Sequence, residues 1–261
     1  MIYSFYLLLI AGAALLGWKL GLLTPSGALI AFMTGAAIAW GFGFYGLVML
    51  GLFFVSSSLW SRVGQSRKKQ LEDMLEKGSR RDGVQVLANG GVPAVIALVH
   101  GWLPGQEALI LFLVSIAAAN SDTWGSELGV LSKSKPISIL TFKRVERGTS
   151  GAVSLFGTIC SAAGAAFIAS AALLLFDLPL LPAAVAAGFG FMGSLLDTLI
   201  GAVIQPQYVC RGCGIQTERT VHCGEAAQRQ KGLGFLDNDS VNLLSIVLAS
   251  AACFTFLKIW L

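Results

Sequence analysis

The stretch ALILFLVSIAAANSDTWGSELGVLSKSKPISILTFKRVERGTSGAVS, residues 108–154, decides how the chain is read. Its first part, 108–119, is hydrocarbon apart from Ser115, and Asn120, Asp122, Thr123 and Glu127 then follow with no break in the run. Five cations come next, Lys133, Lys135, Lys143, Arg144 and Arg147. A charge at the centre of a membrane helix costs about 2.5–3.5 kcal/mol on insertion scales, and less toward the interface. Acids held at such a boundary are functional candidates by default.

Working outward, composition gives the class. The 261 residues are 55% hydrophobic and 12% charged, with 31 glycines and a mean hydropathy of +0.74. Soluble domains carry about 25% charge. Backbone polar groups in a bilayer must satisfy one another in helices or a closed barrel, and long unbroken apolar runs fit helices. The fold class expected is therefore all-α, a polytopic integral membrane protein in the cell membrane, built as one domain over 1–261. Apolar spans near 2–18, 26–41, 43–61, 84–102, 106–129, 150–176, 180–204 and 237–260 predict about eight transmembrane helices, with seven to nine allowed because Gly41-Phe42-Gly43 could be a turn or a weak point in one long helix. The segment before Gly17 has no basic n-region and is expected to be a retained first helix.

Three polar loops, 62–83, 131–149 and 205–236, carry most of the Lys and Arg, and two helices separate each from the next. All three are expected to be cytoplasmic, with both termini outside. The net charge of +4 is thus topology, and no nucleic-acid partner is expected. Leu71, Met74 and Leu75 give 66–77 an interfacial helical pattern. Gln85 and Asn89-Gly90-Gly91-Val92-Pro93 break the next span, which fits either a lined cavity or close helix packing.

At about 100° per residue, Asn120, Thr123 and Glu127 share one helix face and Asp122, Ser126 and Gly129 another. The Asp122 face suits a metal or a close neighbouring helix; carboxylates satisfied between helices remain the structural alternative. Gly148-Thr149-Ser150-Gly151 then precedes an apolar run, where a helix N-terminus would offer free amides to phosphate. Asp197 lies on a small polar stripe with Gly190, Ser194 and Gly201. Asp237-Asn238-Asp239-Ser240-Val241-Asn242 opens the last span, where one acid could cap the helix. Carboxylates for a divalent ion, cations and helix-end amides are the equipment of phosphoryl or nucleotidyl transfer. No Walker signature is present, which excludes a P-loop fold.

NSDTWGSELGVLSKSKP, TFKRVERGTSGAVSLFG, GSLLDTLIGA and FLDNDSVNLL resemble, over nearly the whole chain, the motifs of the integral-membrane family known as domain of unknown function 92. That family includes animal transmembrane protein 19 and the plant plastid phytyl phosphate kinase. The resemblance implies a CTP-dependent kinase converting an isoprenoid monophosphate to its diphosphate. It places family motifs on Asp122, Glu127, Lys133, Lys135, Lys143, Arg144, Gly148, Thr149, Gly151, Asp197, Asp237, Asn238, Asp239 and Asn242. The expected mechanism has Mg²⁺ on some of Asp122, Asp197, Asp237 and Asp239, bridging the phosphates of CTP or ATP. Lys133, Lys135, Lys143, Arg144 and Thr149 to Gly151 would position them, with Asn120, Thr123, Glu127, Ser150, Asn238 and Asn242 completing the phosphate site. The isoprenoid phosphate lipid is the nucleophile. Nucleotidyl transfer to a lipid phosphate and transport of an anionic substrate are the competing functions. Monomer and homodimer are both open.

Cys210-Arg-Gly-Cys213 and His222-Cys223 fall in the loop 205–236, four potential ligands for a structural Zn²⁺. Adjacent His222 and Cys223 do not easily reach one ion, so reduced thiols and a redox role stay open. Cys160 and Cys253 read as small core residues, and His100 as an outer boundary residue.

Overall fold

The structure, a computed structural model, describes residues 2–64, 68, 78 and 80–260. The expected interfacial helix 66–77 lies outside the described residues, Lys68 excepted. Among the described residues, seven helices are long and apolar enough to cross a membrane: α1 (Ile2–Lys19), α2 (Pro25–Arg62), α3 (Gly83–Trp102), α4 (Gln106–Gly129), α5 (Leu155–Leu175), α6 (Leu180–Ile204) and α7 (Asn238–Trp260).

α2 starts where Thr24 accepts the Gly27 N–H, with Pro25 in the first turn. A straight helix of its 38 residues would measure about 57 Å at 1.5 Å per residue, against a hydrocarbon layer of about 30 Å. It is not straight. Gly43 has φ 57° and ψ −143°, a conformation that glycine tolerates. Beyond it the chain folds back: a β-carbon on Gly46 would lie 2.9 Å from Ile38 Cγ2 and 3.4 Å from the Ile38 carbonyl oxygen. Eight residues along one helix would separate them by about 12 Å. The turn at Gly43 therefore makes two spans of α2, and the described residues pass the bundle eight times.

Even passage puts both ends of the chain at one end of the bundle. There Tyr3 donates to the Ala36 carbonyl, His100 stacks on Phe42 at 4.3 Å, and Lys258 pairs with Glu107 at 2.7 Å. The opposite end collects Leu23 bridged to Arg81, Arg81 donating to Ser58, and Ser150 donating to Gln205. All three polar loops open from that end.

α4 is the central post: 61% of its most apolar window is buried, against at most 44% in any other spanning helix. Phe112 to Ala119 are 0–1% exposed. The small residues Ala117 and Ala118 let α6 come close, since β-carbons on Gly190 and Gly193 would lie 2.4 and 2.6 Å from theirs. α5 crosses in the same way, with a β-carbon on Gly157 only 3.2 Å from the Gly129 Cα. Close backbone approach through small residues is the usual basis of helix association in lipid. In the loops, β1 (Ile137–Ser138) pairs antiparallel with β2 (Ala152–Val153). β3 (Gln207–Val209), β4 (Gln216–Thr217) and β7 (Gln228–Lys231) form a sheet in the order β4-β3-β7, and β5 (Val221–His222) and β6 (Glu225–Ala226) form a hairpin.

Candidate functional site

Helix register brings the acids together. Ser121 donates to the Ser161 carbonyl on α5 and, at 3.1 Å, to the Ser194 hydroxyl on α6. Asp122 follows Ser121 directly, and Asp197 follows Ser194 by one turn on the stripe that faces α4. The two carboxyl groups consequently hydrogen-bond to each other. Asp197 Oδ2 also accepts from Ser245 of α7 at 3.2 Å. Two carboxyl oxygens in hydrogen-bond contact inside a bundle cannot both stay bare anions; a proton or a cation has to lie between them.

Asp122 and Asp197 line one cavity of about 510 Å³ at the loop end. Asp122, Asp197, Asp237 and Asp239 stand on its wall, with Asn238 and Asn242 beside them. Asp239 is 4% exposed. Asp237 has a second task, because its Oδ1 accepts the Ser240 N–H at 2.9 Å and the Ser240 hydroxyl at 2.7 Å, capping α7. Lys68, Arg81 and Arg147 also line the cavity. Arg81 donates to Ser58 at 2.9 Å; burial holds its pKa below the usual arginine value, while Glu127 opposes that shift. Arg147 donates to the carbonyls of Ser132 (2.9 Å) and Lys133 (3.2 Å), while its buried Nε has no partner among the described residues. Hard carboxylate oxygens match the chemistry of Mg²⁺, and three cations match phosphate oxygens.

Several expected residues lie elsewhere. Lys133, Lys135, Lys143 and Arg144 are exposed and off the cavity wall, with Lys135 paired to Glu146. Asn120 is 0% exposed and holds helices together, its amide donating to the Gly164 carbonyl at 2.8 Å and its oxygen accepting from Ser56. Glu127 lines the cavity but is occupied: Lys68 pairs with one oxygen and Ser61 donates to the other, both at 2.6 Å. Thr123 lines it too, although its hydroxyl donates to the Ala119 carbonyl of its own helix. Gly148, Thr149, Ser150 and Gly151 line the cavity without opening a helix. α5 begins at Leu155 with Ser154 capping Gly157, and the Thr149 N–H donates to the Glu146 carbonyl. The helix-end amides expected at Thr149 to Gly151 are therefore four residues too early.

The sequence did not single out Lys68, Arg81 and Arg147, because a cation facing a cavity looks the same as one placed by topology. Gln85 and Asn89, polar breaks in α3, do line it. Asp82 forms a capping box with Gln85 that starts this helix beside Arg81.

In the 205–236 loop, Cys210, Cys213, His222 and Cys223 lie with their ligand atoms all within 4.8 Å of one another. His222 Nδ1 is 3.5 Å from Cys213 Sγ and 3.2 Å from Cys223 Sγ, so adjacency in sequence does not keep His222 and Cys223 apart. A backbone hydrogen bond from Cys213, and then the His222 side chain, bring the Cys210 thiol down to about 6. Hydrogen bonds with Cys213 and then Cys210 push Cys223 up to about 11.

Fold and site together define a polytopic α-helical membrane protein with an acid-and-cation cavity at one end of its bundle. The chain belongs to the DUF92 family of integral membrane proteins, whose model matches residues 8–250. It is 33% identical over 231 residues to Protein PGR of Arabidopsis thaliana, covering 79% of each chain. An uncharacterized membrane protein of Methanocaldococcus jannaschii is 39% identical over 202 residues, 76% of this chain and 82% of that one. Protein VTE6, chloroplastic, of Arabidopsis thaliana is 26% identical over 233 residues, 87% of this chain and 63% of that protein. No solved structure gives a significant match.

Proposed function

We propose that the protein is a lipid phosphotransferase, moving the terminal phosphoryl group of a nucleoside triphosphate, CTP or ATP, onto an isoprenoid monophosphate. The observation that carries this reading is the hydrogen-bonded Asp122–Asp197 pair sharing one cavity with Arg147, Arg81 and Lys68. An acid pair that demands a counter-cation, on one wall with three cations, fits a metal-bound polyphosphate better than any uncharged ligand. The family resemblance supports the same chemistry.

Asp122 and Asp197, with Asp239 adjoining, would hold Mg²⁺. Bound there, the ion supplies charge neutralisation for the phosphate oxygens. Arg147 lines the cavity as a cation for anionic oxygens, and the Ser132 and Lys133 carbonyls fix the orientation of its guanidinium. Lys68 and Glu127 hold each other, which anchors the loop end of α4. A lipid phosphate oxygen forms the new P–O bond as the bond to the β–γ bridging oxygen breaks, and the nucleoside diphosphate leaves. The lipid phosphate is already anionic, so positioning and charge stabilisation suffice. The isoprenoid tail would lie against the apolar faces of the bundle. By the positive-inside rule, the basic loops support a cavity that opens on the cytoplasmic side of the membrane.

Transport fits less well. Below Asp122, residues 112–119 of α4 are 0–1% exposed, and polar lining does not continue through them. The test is incubation of purified protein with Mg²⁺, γ-labelled CTP or ATP and a panel of isoprenyl monophosphates. Label should appear in a lipid diphosphate with release of nucleoside diphosphate. Pyrophosphate release would replace kinase with nucleotidyl transfer, and absence of label from every lipid would overturn both.

A further inference from the structure

We infer that the loop after α6 is a zinc knuckle, with Cys210, Cys213, His222 and Cys223 holding one Zn²⁺ that fixes Glu218 and Gln205 at the cavity mouth. Cys210 closes β3, and its carbonyl accepts the Gly214 N–H at 2.9 Å, so the chain curls back over the Cys213 thiol. Gly214, at φ +74°, permits that curl. The second pair sits on the β5–β6 hairpin, where His222 opposes Glu225 and the two-residue turn is Cys223-Gly224. Both turn residues have positive φ, 53° for Cys223 and 79° for Gly224, as a hairpin turn of this length favours. Cysteine is an unusual occupant of that position, where Asn or Asp is common. The turn carries its thiol to the His222 ring.

The spacing fits an ion. A tetrahedral zinc with Zn–S of about 2.3 Å and Zn–N of about 2.0 Å sets N···S at roughly 3.5 Å and S···S at roughly 3.8 Å. His222 Nδ1 stands 3.5 and 3.2 Å from two sulfurs, and all four ligand atoms fall within 4.8 Å. The three thiols are unbridged. Three thiols and an imidazole pointed at one spot would gain little from one another without a cation between them.

What the ion would hold is visible in the chain between the two ligand pairs. Residues 214–221 run from one pair to the other and carry Glu218, which faces the cavity. Gln205, 4% exposed, donates to Glu218 at 2.9 Å and accepts from Ser150 at 2.7 Å. This Ser150–Gln205–Glu218 chain joins the loop after α4 to the knuckle. Lys231 at the far edge of the sheet donates to the Ala202 carbonyl of α6. Zinc at the knuckle therefore positions one rim of the cavity and is separate from the Asp122–Asp197 pair, so this inference stands or falls independently of the phosphotransfer reading.

The whole protein purified without chelator should contain about one zinc per chain by elemental mass spectrometry. Cobalt substitution should give the intense visible absorption of a tetrahedral thiolate site. Cys213→Ser and His222→Asn should each lower the metal content at least about tenfold. Stripping the wild-type metal with a chelator should raise hydrogen exchange across 214–221 and leave α4 and α6 unchanged. Metal below about a tenth per chain with no cobalt spectrum would overturn the site, as would a Cys210–Cys213 disulfide in the purified protein. Unchanged exchange at 214–221 after stripping would overturn the positioning role.

Discussion

Asp122 and Asp197 carry opposite expectations for stability and for activity, which is what makes them informative. Their mutual hydrogen bond inside the bundle requires a shared proton or a cation, so neutralising one of them removes an electrostatic cost. Asp197→Asn should keep or raise the melting temperature followed by tryptophan fluorescence, while kcat falls about 100- to 1,000-fold, the usual loss for a group that organises transition-state charge. The wild type should also gain stability as Mg²⁺ is added, by about 2.7 kcal/mol at 100 times its Kd, and the variant should not. A melting temperature that drops with activity intact would make the pair a packing device. Arg147 is the counterpart on the cationic side. Arg147→Lys keeps a charge but loses the planar guanidinium whose Nη2 donates to both the Ser132 and Lys133 carbonyls. Losing charge-assisted bonds worth about 1.5–3 kcal/mol should raise KM for the nucleotide roughly 10- to 100-fold. Lys143→Ala and Arg144→Ala, on the exposed strip, should change it less than about twofold. At this scale the carboxylates were legible because an acid in hydrocarbon has no routine explanation. Cations were not, because topology supplies them freely, and only three-dimensional facing separates Arg147 from Arg144.

Among elements, the contact between α4 and α6 sets the site, since the same stripe that carries Asp197 carries Gly190. Gly190→Ala would place its β-carbon 2.4 Å from that of Ala117 and force the helices apart. Overpacking of this kind costs about 1–3 kcal/mol, or roughly 2–12 °C in melting temperature for a chain of this size. Activity should fall with it, because the separation also parts Asp197 from Asp122. Gly188→Ala is the control two residues away: nothing lies within 4 Å of its β-carbon, and the better helix propensity of alanine makes it neutral or stabilising by up to about 1 kcal/mol. The thermal melts of the two variants should separate accordingly. The glycine stripe was readable from helical spacing alone. The start of α5 was not: both Ser150 and Ser154 are serines ahead of an apolar run, and the cap belongs to the one whose hydroxyl meets the Gly157 N–H.

For the whole molecule, parity of crossing decides where the cavity opens. The apolar spans gave about eight crossings with seven to nine allowed, so parity was open in the sequence. The doubt lay at Gly43, where a positive φ is invisible in a sequence that also has glycine at 41 and 46. If α2 turns there, the 20–24 connection and the loop after α4 share one side of the membrane. If α2 were a single long span, they would face opposite sides. Cysteines introduced into a cysteine-free background at Leu20, Lys135 and Glu107, all exposed, should distinguish these arrangements. An impermeant maleimide should modify Leu20→Cys and Lys135→Cys from the same face in sealed vesicles, and Glu107→Cys from the other. Because Lys258 pairs with Glu107, α7 must return to the Glu107 face, leaving the cavity at the Lys135 end. Labelling of Leu20→Cys from the Glu107 side would remove one crossing and break the eight-pass bundle. It would also separate Leu23 from Arg81, and Arg81 from the cavity that holds the acids.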